Sequence, residues 1–587
     1  MRKLFYAIAM FGALTMTGCS LSKMVKLAED QNLTVTPNPL EVHADTVSFE
    51  MAANLPVKML KKGKVYTLNT YYKYGENETA LEAIQFKAED YPNADTQEPR
   101  ISKQYSMPYS PAMKSGNLEI QGVASDPKNG KFKETERLPV APGIITTSKL
   151  VKPVYYAAYA GHGYNNQEEL IPTNVNFFFD QGRSVLKYSE RRGDRGKKLD
   201  AFIADKNVTR TVTITGTHSP EGSERVNSDL AKNRAEAIEK FYRAQMKKYD
   251  YKGAADSIEF IIKDVVENWN MFKDSLAAYD GISSEEKSQY LDIINGGGSF
   301  EDKEDAMHKL PTYKKVLREL YPQLRTAQTE ILTVKEKKTD AEIAVLSKQL
   351  AQGTVSADTL SEEELMYGAT LTPSLTEKEA IYKAATKKSD SWNAHNNLGA
   401  VYIAMAMAGD EAKGDLALTQ LEIAANKNPS PEVHANLGSV HLMKGNPYKA
   451  YEHLLKATGG SGEFTQGVNG VKGSIEIMMA KYGDAVRSTS GATDDAVNLF
   501  NKGLAQVLNN DYQSALTSFK EATAKDSGMG IAFYGAAIAS AHLGQESGVI
   551  ENLGKAVAAE PSLKGDALED LEFAAYVTNE QFINALK

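Results

Sequence analysis

Three regimes of hydrophobic patterning follow one another along the chain. From residue 33 to about 165 apolar positions alternate with polar ones, and Pro37, Pro39, Pro92, Pro108, Pro111, Pro127 and Gly143 punctuate the runs. In VYTLNTYYKY (65–74), Tyr66, Leu68, Tyr72 and Tyr74 share one face, with Thr67, Asn69 and Lys73 on the other, as in a half-buried antiparallel strand. VSFEM (47–51), LEIQGV (118–123) and IITTSKLV (144–151) are further strand candidates. This pattern predicts an all-β sandwich over 33–165.

The second regime, over 168–335, alternates strand with helix. VNFFF (175–179) is expected to be a buried strand, and VTRTVTITG (208–216) alternates up to Gly216. Between them VLKYSERRGDRGKKLDAFIAD has helical spacing broken by Gly193 and Gly196. After Gly216, Val226, Leu230, Ala237, Ile238 and Phe241 form an apolar stripe on a long helix. Residues 264–323 are expected to be a helical insert, with a capping box of Ser283 and Glu286 and a stop at Gly296-Gly297-Gly298. TAQTEILTV (326–334) then returns to strand, and 336–362 is a charged linker.

The third regime, 363–587, repeats itself. Asn397-Leu398-Gly399 recurs as Asn436-Leu437-Gly438, and Gly438 is followed by Ala450, Leu454 and Ala457 at offsets of 12, 16 and 19. Gly503 and Ala537 start the same series, while the first copy carries a six-residue insertion and 464–487 matches only through Gly473 and Ala485. Small residues at such offsets let two helices approach while a large apolar residue plugs the neighbour, and the pattern resembles the tetratricopeptide repeat. That resemblance implies an α-solenoid with a concave face lined by first helices. Asn396, His434 and His441 lie off the signature positions of those helices and are expected to face the groove, where an extended or helical segment of a protein partner would bind. The alternative role for such an array is a spacer.

The first residues are not part of this fold. Arg2 and Lys3 precede LFYAIAMFGALTMT, 14 residues long and too short to span a bilayer, so 1–18 has the character of a signal peptide. Met16-Thr17-Gly18-Cys19 resembles a bacterial lipobox, and Cys19 is the single cysteine. Lipidation of Cys19 is therefore expected, with 19–32 as a tether, an outer-membrane location facing the periplasm and no disulfides. Losing Arg2 and Lys3 takes the formal charge from −9 to −11, which leaves no electrostatic footprint for nucleic acid.

The richest chemistry lies in THSPEGSERVNSDLAKNRAEAI (217–238). His218, Ser219 and Glu221 are too close together for a hydrolytic triad, and adjacent side chains on an extended segment point to opposite sides. No nucleotide-binding loop, paired-cysteine motif or metalloprotease helix occurs, His434 and His441 have no third ligand, and the basic runs KKGK (61–64) and RRGDRGKK (191–198) suit solvated faces. A non-enzymatic protein without cofactor or metal is expected. Arg234 lies on the helical stripe and is either at its rim or buried against an anionic partner, which could be internal or a ligand's carboxylate.

Gly216-Thr217-His218-Ser219, Glu221-Gly222-Ser223, Asn227, Leu230 and Arg234-Ala235 resemble the OmpA-like peptidoglycan-binding motif. The resemblance implies that Arg234 and Asn227 hold the diaminopimelate of a peptidoglycan stem peptide. It also places Ser219 where the family has an Asp that grips the ligand's ammonium, so Glu221 is the candidate substitute. The whole is then expected to be a multidomain outer-membrane lipoprotein: a β-sandwich, a central α/β OmpA-like domain and an α-solenoid that binds peptidoglycan and recruits a protein. The alternative is a scaffold subunit of a secretion or envelope-assembly complex whose OmpA-like module only docks protein.

Overall fold

The computed structural model describes residues 20–251, 254–265 and 268–587; Cys19 and the signal segment lie outside the described residues. The chain forms two compact units, one joining the N-terminal region through Tyr164 to Ile343–Lys587, the other comprising Asn165–Glu342.

In the first unit, helix α1 (Ser20–Ala28) leads into ten strands. One sheet contains β1 (Asn32–Thr36), β2 (Leu40–His43), β3 (Thr46–Asn54), β6 (Arg100–Pro108) and β10 (Ile144–Ile145), in the order β1-β3-β2-β10 with β6 also on β3. The other contains β4 (Val65–Tyr74), β5 (Asn77–Lys87), β7 (Asn117–Asp126), β8 (Lys131–Glu134) and β9 (Leu138–Pro142), in the order β5-β4-β7-β8 with β9 also on β7. Their inner faces share one core that includes Phe49, Met51, Tyr66, Leu68, Tyr72, Phe86, Leu118 and Ile120. The alternation in β4 is the one the sequence predicts. Its two buried tyrosines stay satisfied because Tyr66 Oη donates to Gln31 at 2.9 Å and Tyr72 Oη to the Met113 carbonyl at 2.7 Å.

Two boundaries move. Residues 20–28 are not a free tether: Leu21, Met24 and Ala28, at helical spacing, are buried in the sandwich core. The sandwich ends near Leu150 rather than 165. Of IITTSKLV only Ile144 and Ile145 pair as strand, and residues 151–164 have neither helical nor strand structure.

The second unit has the order β11 (Leu170–Phe178), α2 (Tyr188–Arg192), α3 (Asp194–Ala204), β12 (Thr209–Gly216), α4 (Glu224–Lys248), β13 (Glu259–Asp264) and β14 (Thr326–Val334). The sheet runs β11-β14-β12-β13, with β12 parallel to β13 and both other pairings antiparallel. Helices α5 (Trp269–Ala277), α6 (Ser284–Asn295), α7 (Phe300–His308) and α8 (Tyr313–Glu319) form the insert around a core of their own. Ser283 and Glu286 make the predicted capping box on α6. Gly193 separates α2 from α3 as the sequence suggests, whereas Gly196 lies inside α3, where a Cβ would come within 2.0 Å of the Arg191 carbonyl.

In the C-terminal part of the first unit, α9 (Asp340–Ala351), α10 (Glu362–Gly368) and α11 (Leu375–Ser389) precede the helix pairs. The expected linker 336–362 is thus largely helix, with Ile343 buried in the repeat core. The pairs are α12 (Trp392–Met407) with α13 (Lys413–Lys427), α14 (Pro431–Met443) with α15 (Pro447–Leu454), α16 (Glu463–Met478) with α17 (Tyr482–Ser490), α18 (Ala496–Leu508) with α19 (Tyr512–Lys525), and α20 (Gly530–His542) with α21 (Glu546–Ala559). Helices α22 (Leu563–Glu569) and α23 (Glu580–Ala585) close the array. The degenerate stretch is therefore a full pair. A Cβ on Gly438 would come within 2.7 Å of Leu454, the close approach that the repeat spacing demands.

Candidate functional site

The quoted motif forms the turn between β12 and α4. Gly216 ends the strand where a Cβ would fall 1.8 Å from the Ala231 carbonyl, so the turn packs directly on α4. Thr217, His218, Ser219, Asn227 and Arg234 are all buried. The apolar stripe of α4 is rotated from the predicted one: Val226 is exposed, and the inward residues are Asn227, Ala231, Arg234, Ala235, Ile238, Tyr242 and Met246.

Arg234 is 1 % exposed, and its partners are main-chain carbonyls: Nε donates to Arg183 O (3.0 Å), Nη1 to Thr217 O (2.7 Å) and Nη2 to Asp180 O (3.2 Å). Burial, reinforced by the neighbouring Arg325 and opposed by Glu221, lowers its pKa to about 10. It ties the turn to the segment after β11. Asn227 Nδ2 donates to the carbonyls of Glu221 (3.1 Å) and Gly222 (3.4 Å), which fixes the same turn from below.

Glu221 has an internal partner that the sequence reading missed. Its Oε1 accepts from Arg325 Nη2 at 2.7 Å and Nε at 3.1 Å, and the same Nε donates to Ser219 Oγ at 2.8 Å. The two side chains are only 8 % (Arg325) and 18 % (Glu221) exposed. Ser219 and Glu221 thus surround a guanidinium of the chain itself, at the place where the resemblance puts a ligand's ammonium. The sequence signal was an arginine directly ahead of the alternating strand β14.

The insert covers this turn. His218 meets Phe300 edge-to-face at 5.4 Å, and Glu301 accepts a hydrogen bond from the Glu224 amide at 2.8 Å. Behind it, Glu304 accepts from the hydroxyls of Tyr313 and Tyr321. Burial pushes the Glu304 carboxyl up to about 7 against those two hydrogen bonds, with Glu221 and Asp305 adding to the rise.

The groove of the repeats is occupied from within the same unit. Asn501 exchanges two hydrogen bonds with the main chain of Lys152 (3.0 and 2.7 Å), and Ser474 Oγ accepts from Val154 N at 3.3 Å. Ser439 pairs both main-chain groups of Tyr156 (3.0 and 2.8 Å). Asn436 pairs both groups of Ala158 (2.7 and 2.7 Å), Asn397 both groups of Ala160 (2.6 and 3.0 Å), and Asn396 adds a bond to the Ala158 carbonyl. Every second residue from 152 to 160 is held, which requires an extended chain crossing α18, α16, α14 and α12 in turn. Asn396 faces the groove as expected. His434 and His441 do not: His434 Nδ1 lies 3.1 Å from His453 Nδ1 and His441 stacks on His453, so this trio is packed between α14 and α15. Burial, then nearby lysines, lowers His441 to about 4; burial and the other two histidines lower His453 to about 4.

No family model and no curated protein matches the chain. Among solved structures it is similar to the C-terminal part of a TPR repeat-containing protein from Cytophaga hutchinsonii, at 17% identity and TM-score 0.29 over 41% of this chain and 92% of that one. It is also similar to pilF of Pseudomonas aeruginosa, at 16% identity and TM-score 0.30 over 40% of this chain and 99% of the other. A third is YrrB, a TPR protein described as having an unusual peptide-binding site, at 18% identity and TM-score 0.22 over 40% of this chain and 99% of that one. At these scores the repeat architecture rests on the helix pairs themselves.

Proposed function

We propose that the chain is a non-enzymatic scaffold of the bacterial envelope, anchored in the outer membrane through acyl chains on Cys19 and facing the periplasm. The reading of the central module as OmpA-like is supported by strands near both expected places, β11 through Phe178 of VNFFF and β14 over TAQTEILTV. In this reading the module docks protein and does not read peptidoglycan. The observation that carries it is Arg325, which satisfies Ser219 and Glu221 internally while Arg234 is spent on three carbonyls. A ligand ammonium would have to displace a buried, hydrogen-bonded guanidinium, and breaking such a pair costs about 3–5 kcal/mol. The tetratricopeptide-type repeats hold the 152–160 segment in their groove, and repeats and segment together present a surface to a protein partner.

Wall binding is the second reading, and one atom favours it: Glu221 Oε2 is buried and accepts no hydrogen bond from the described residues. Co-sedimentation with purified sacculi separates the two. The scaffold reading expects wild type to stay in the supernatant. Retention on sacculi that Glu221→Gln abolishes would establish wall binding instead.

A further inference from the structure

The strap across the repeats is satisfied on one side only. In an extended chain the N–H and C=O of consecutive residues point to opposite sides. The main chain of Lys152, Val154, Tyr156, Ala158 and Ala160 points at the helices and is held there. The N–H and C=O of Tyr155, Ala157 and Tyr159 therefore point away, and they hydrogen-bond to none of the described residues. Tyr159 is 40 % exposed. At one end Pro153 has no N–H to offer, as is usual for proline at a solvent-facing edge. At the other end Gly161-His162-Gly163 follows.

We propose that residues 155–159 are a strand edge on which an extended segment of a partner polypeptide docks by main-chain pairing. This deepens the scaffold reading and rests on it, and it places recruitment on the strap rather than on the repeat helices. The Asn and Ser side chains that would read a peptide backbone are already taken, so the groove's polypeptide-binding capacity is passed outward through the strap. The open edge spans about 13 Å at roughly 3.3 Å per residue, enough to pair about five residues of an incoming strand. Such a partner is recognised by backbone shape and β propensity and not by charge.

A fluorescent synthetic peptide copying residues 151–161 serves as the probe, because Val154, Tyr155, Tyr156 and Tyr159 favour the extended state. It is titrated into the intact wild-type chain, whose groove is full. Binding is expected, and N-methylation of one alternate set of peptide amides should weaken it at least about tenfold while the other set changes it less than about twofold, since each lost main-chain bond contributes a factor of roughly 2–10. Ala157→Pro removes one outward N–H and no inward bond, and should weaken binding several-fold; should that variant fail to fold, the methylation contrast on wild type decides alone. Three results would overturn the proposal: no binding, equal sensitivity to both methylation sets, or binding only to a chain whose residues 152–160 are replaced by Gly and Ser and only while Asn436 is intact. None of them bears on sacculus co-sedimentation, which tests the scaffold reading separately.

Discussion

Replacing Arg325 with Met removes the guanidinium from under the motif turn and keeps most of the side-chain volume. Glu221 is left with a buried carboxylate whose Oε1 loses both donors and whose Oε2 had none, and Ser219 Oγ loses its donor as well. Removing one partner of a buried, well-formed pair costs about 3–5 kcal/mol. The chain has two tryptophans, and Trp269 lies in the core of the insert while Trp392 packs in the repeats. In a Trp392→Phe background, urea unfolding followed by Trp269 fluorescence therefore reports the second unit alone. At a slope of roughly 2 kcal/mol per molar urea the midpoint should fall by about 2 M. Adding Glu221→Gln removes the stranded charge and should restore about half of the loss, roughly 1.5–2.5 kcal/mol, and the loss for Glu221→Gln alone then completes the double-mutant cycle. A single variant within about 0.5 kcal/mol of the background, as for a solvent-screened pair, would refute the claim that the turn is closed around its own cation.

Three further outcomes are expected. Gly438→Ala should destabilise the repeats, because its Cβ would meet Leu454 at 2.7 Å, and Gly438→Ala with Leu454→Ala should lose less than the two single changes combined, as read by thermal unfolding. His441 and His453 have folded-state pKa values near 4, below the ordinary 6.5, so the stability they support is complete above pH 6.5 and drains away as pH falls toward 4; His453→Phe should flatten that slope in unfolding measured across pH. Glu304 has the opposite sign. With a folded-state pKa near 7 against 4.5, stability is greatest below pH 4.5 and falls until pH 7, and Glu304→Gln should remove that fall in the Trp269 assay.

The elements with strong periodicity were legible in the sequence. The alternation in β4 and β12, the capping box on α6 and the repeat offsets each follow from one local rule, and the structure keeps them. Boundaries failed where a segment's role is set by distant partners. Residues 151–164 look like the end of a β domain because Val154, Tyr155 and Tyr156 favour extended chain, yet the hydrogen bonds that hold them come from Asn and Ser side chains some 240 to 350 residues later. Strand β13 was missed because its neighbour β12 supplies the parallel pairing and its own run is only six residues long. At the motif, the burial of Arg234 was one of the two alternatives the stripe allowed, but its carbonyl partners are invisible to any spacing rule. Arg325 stands directly ahead of β14, but that position alone does not show what it pairs with; only the fold brings it to Ser219 and Glu221.

The most direct test of the central claim is a calorimetric titration of meso-diaminopimelate into the intact wild-type chain. With Arg325 seated on Ser219 and Glu221, and Arg234 committed to three carbonyls, no saturable binding is expected up to a ligand concentration of about 1 mM, the affinity that some 4 kcal/mol would confer. Saturable binding tighter than that, lost in both Arg234→Ala and Glu221→Gln while their folds persist, would contradict the account and make the module a reader of peptidoglycan.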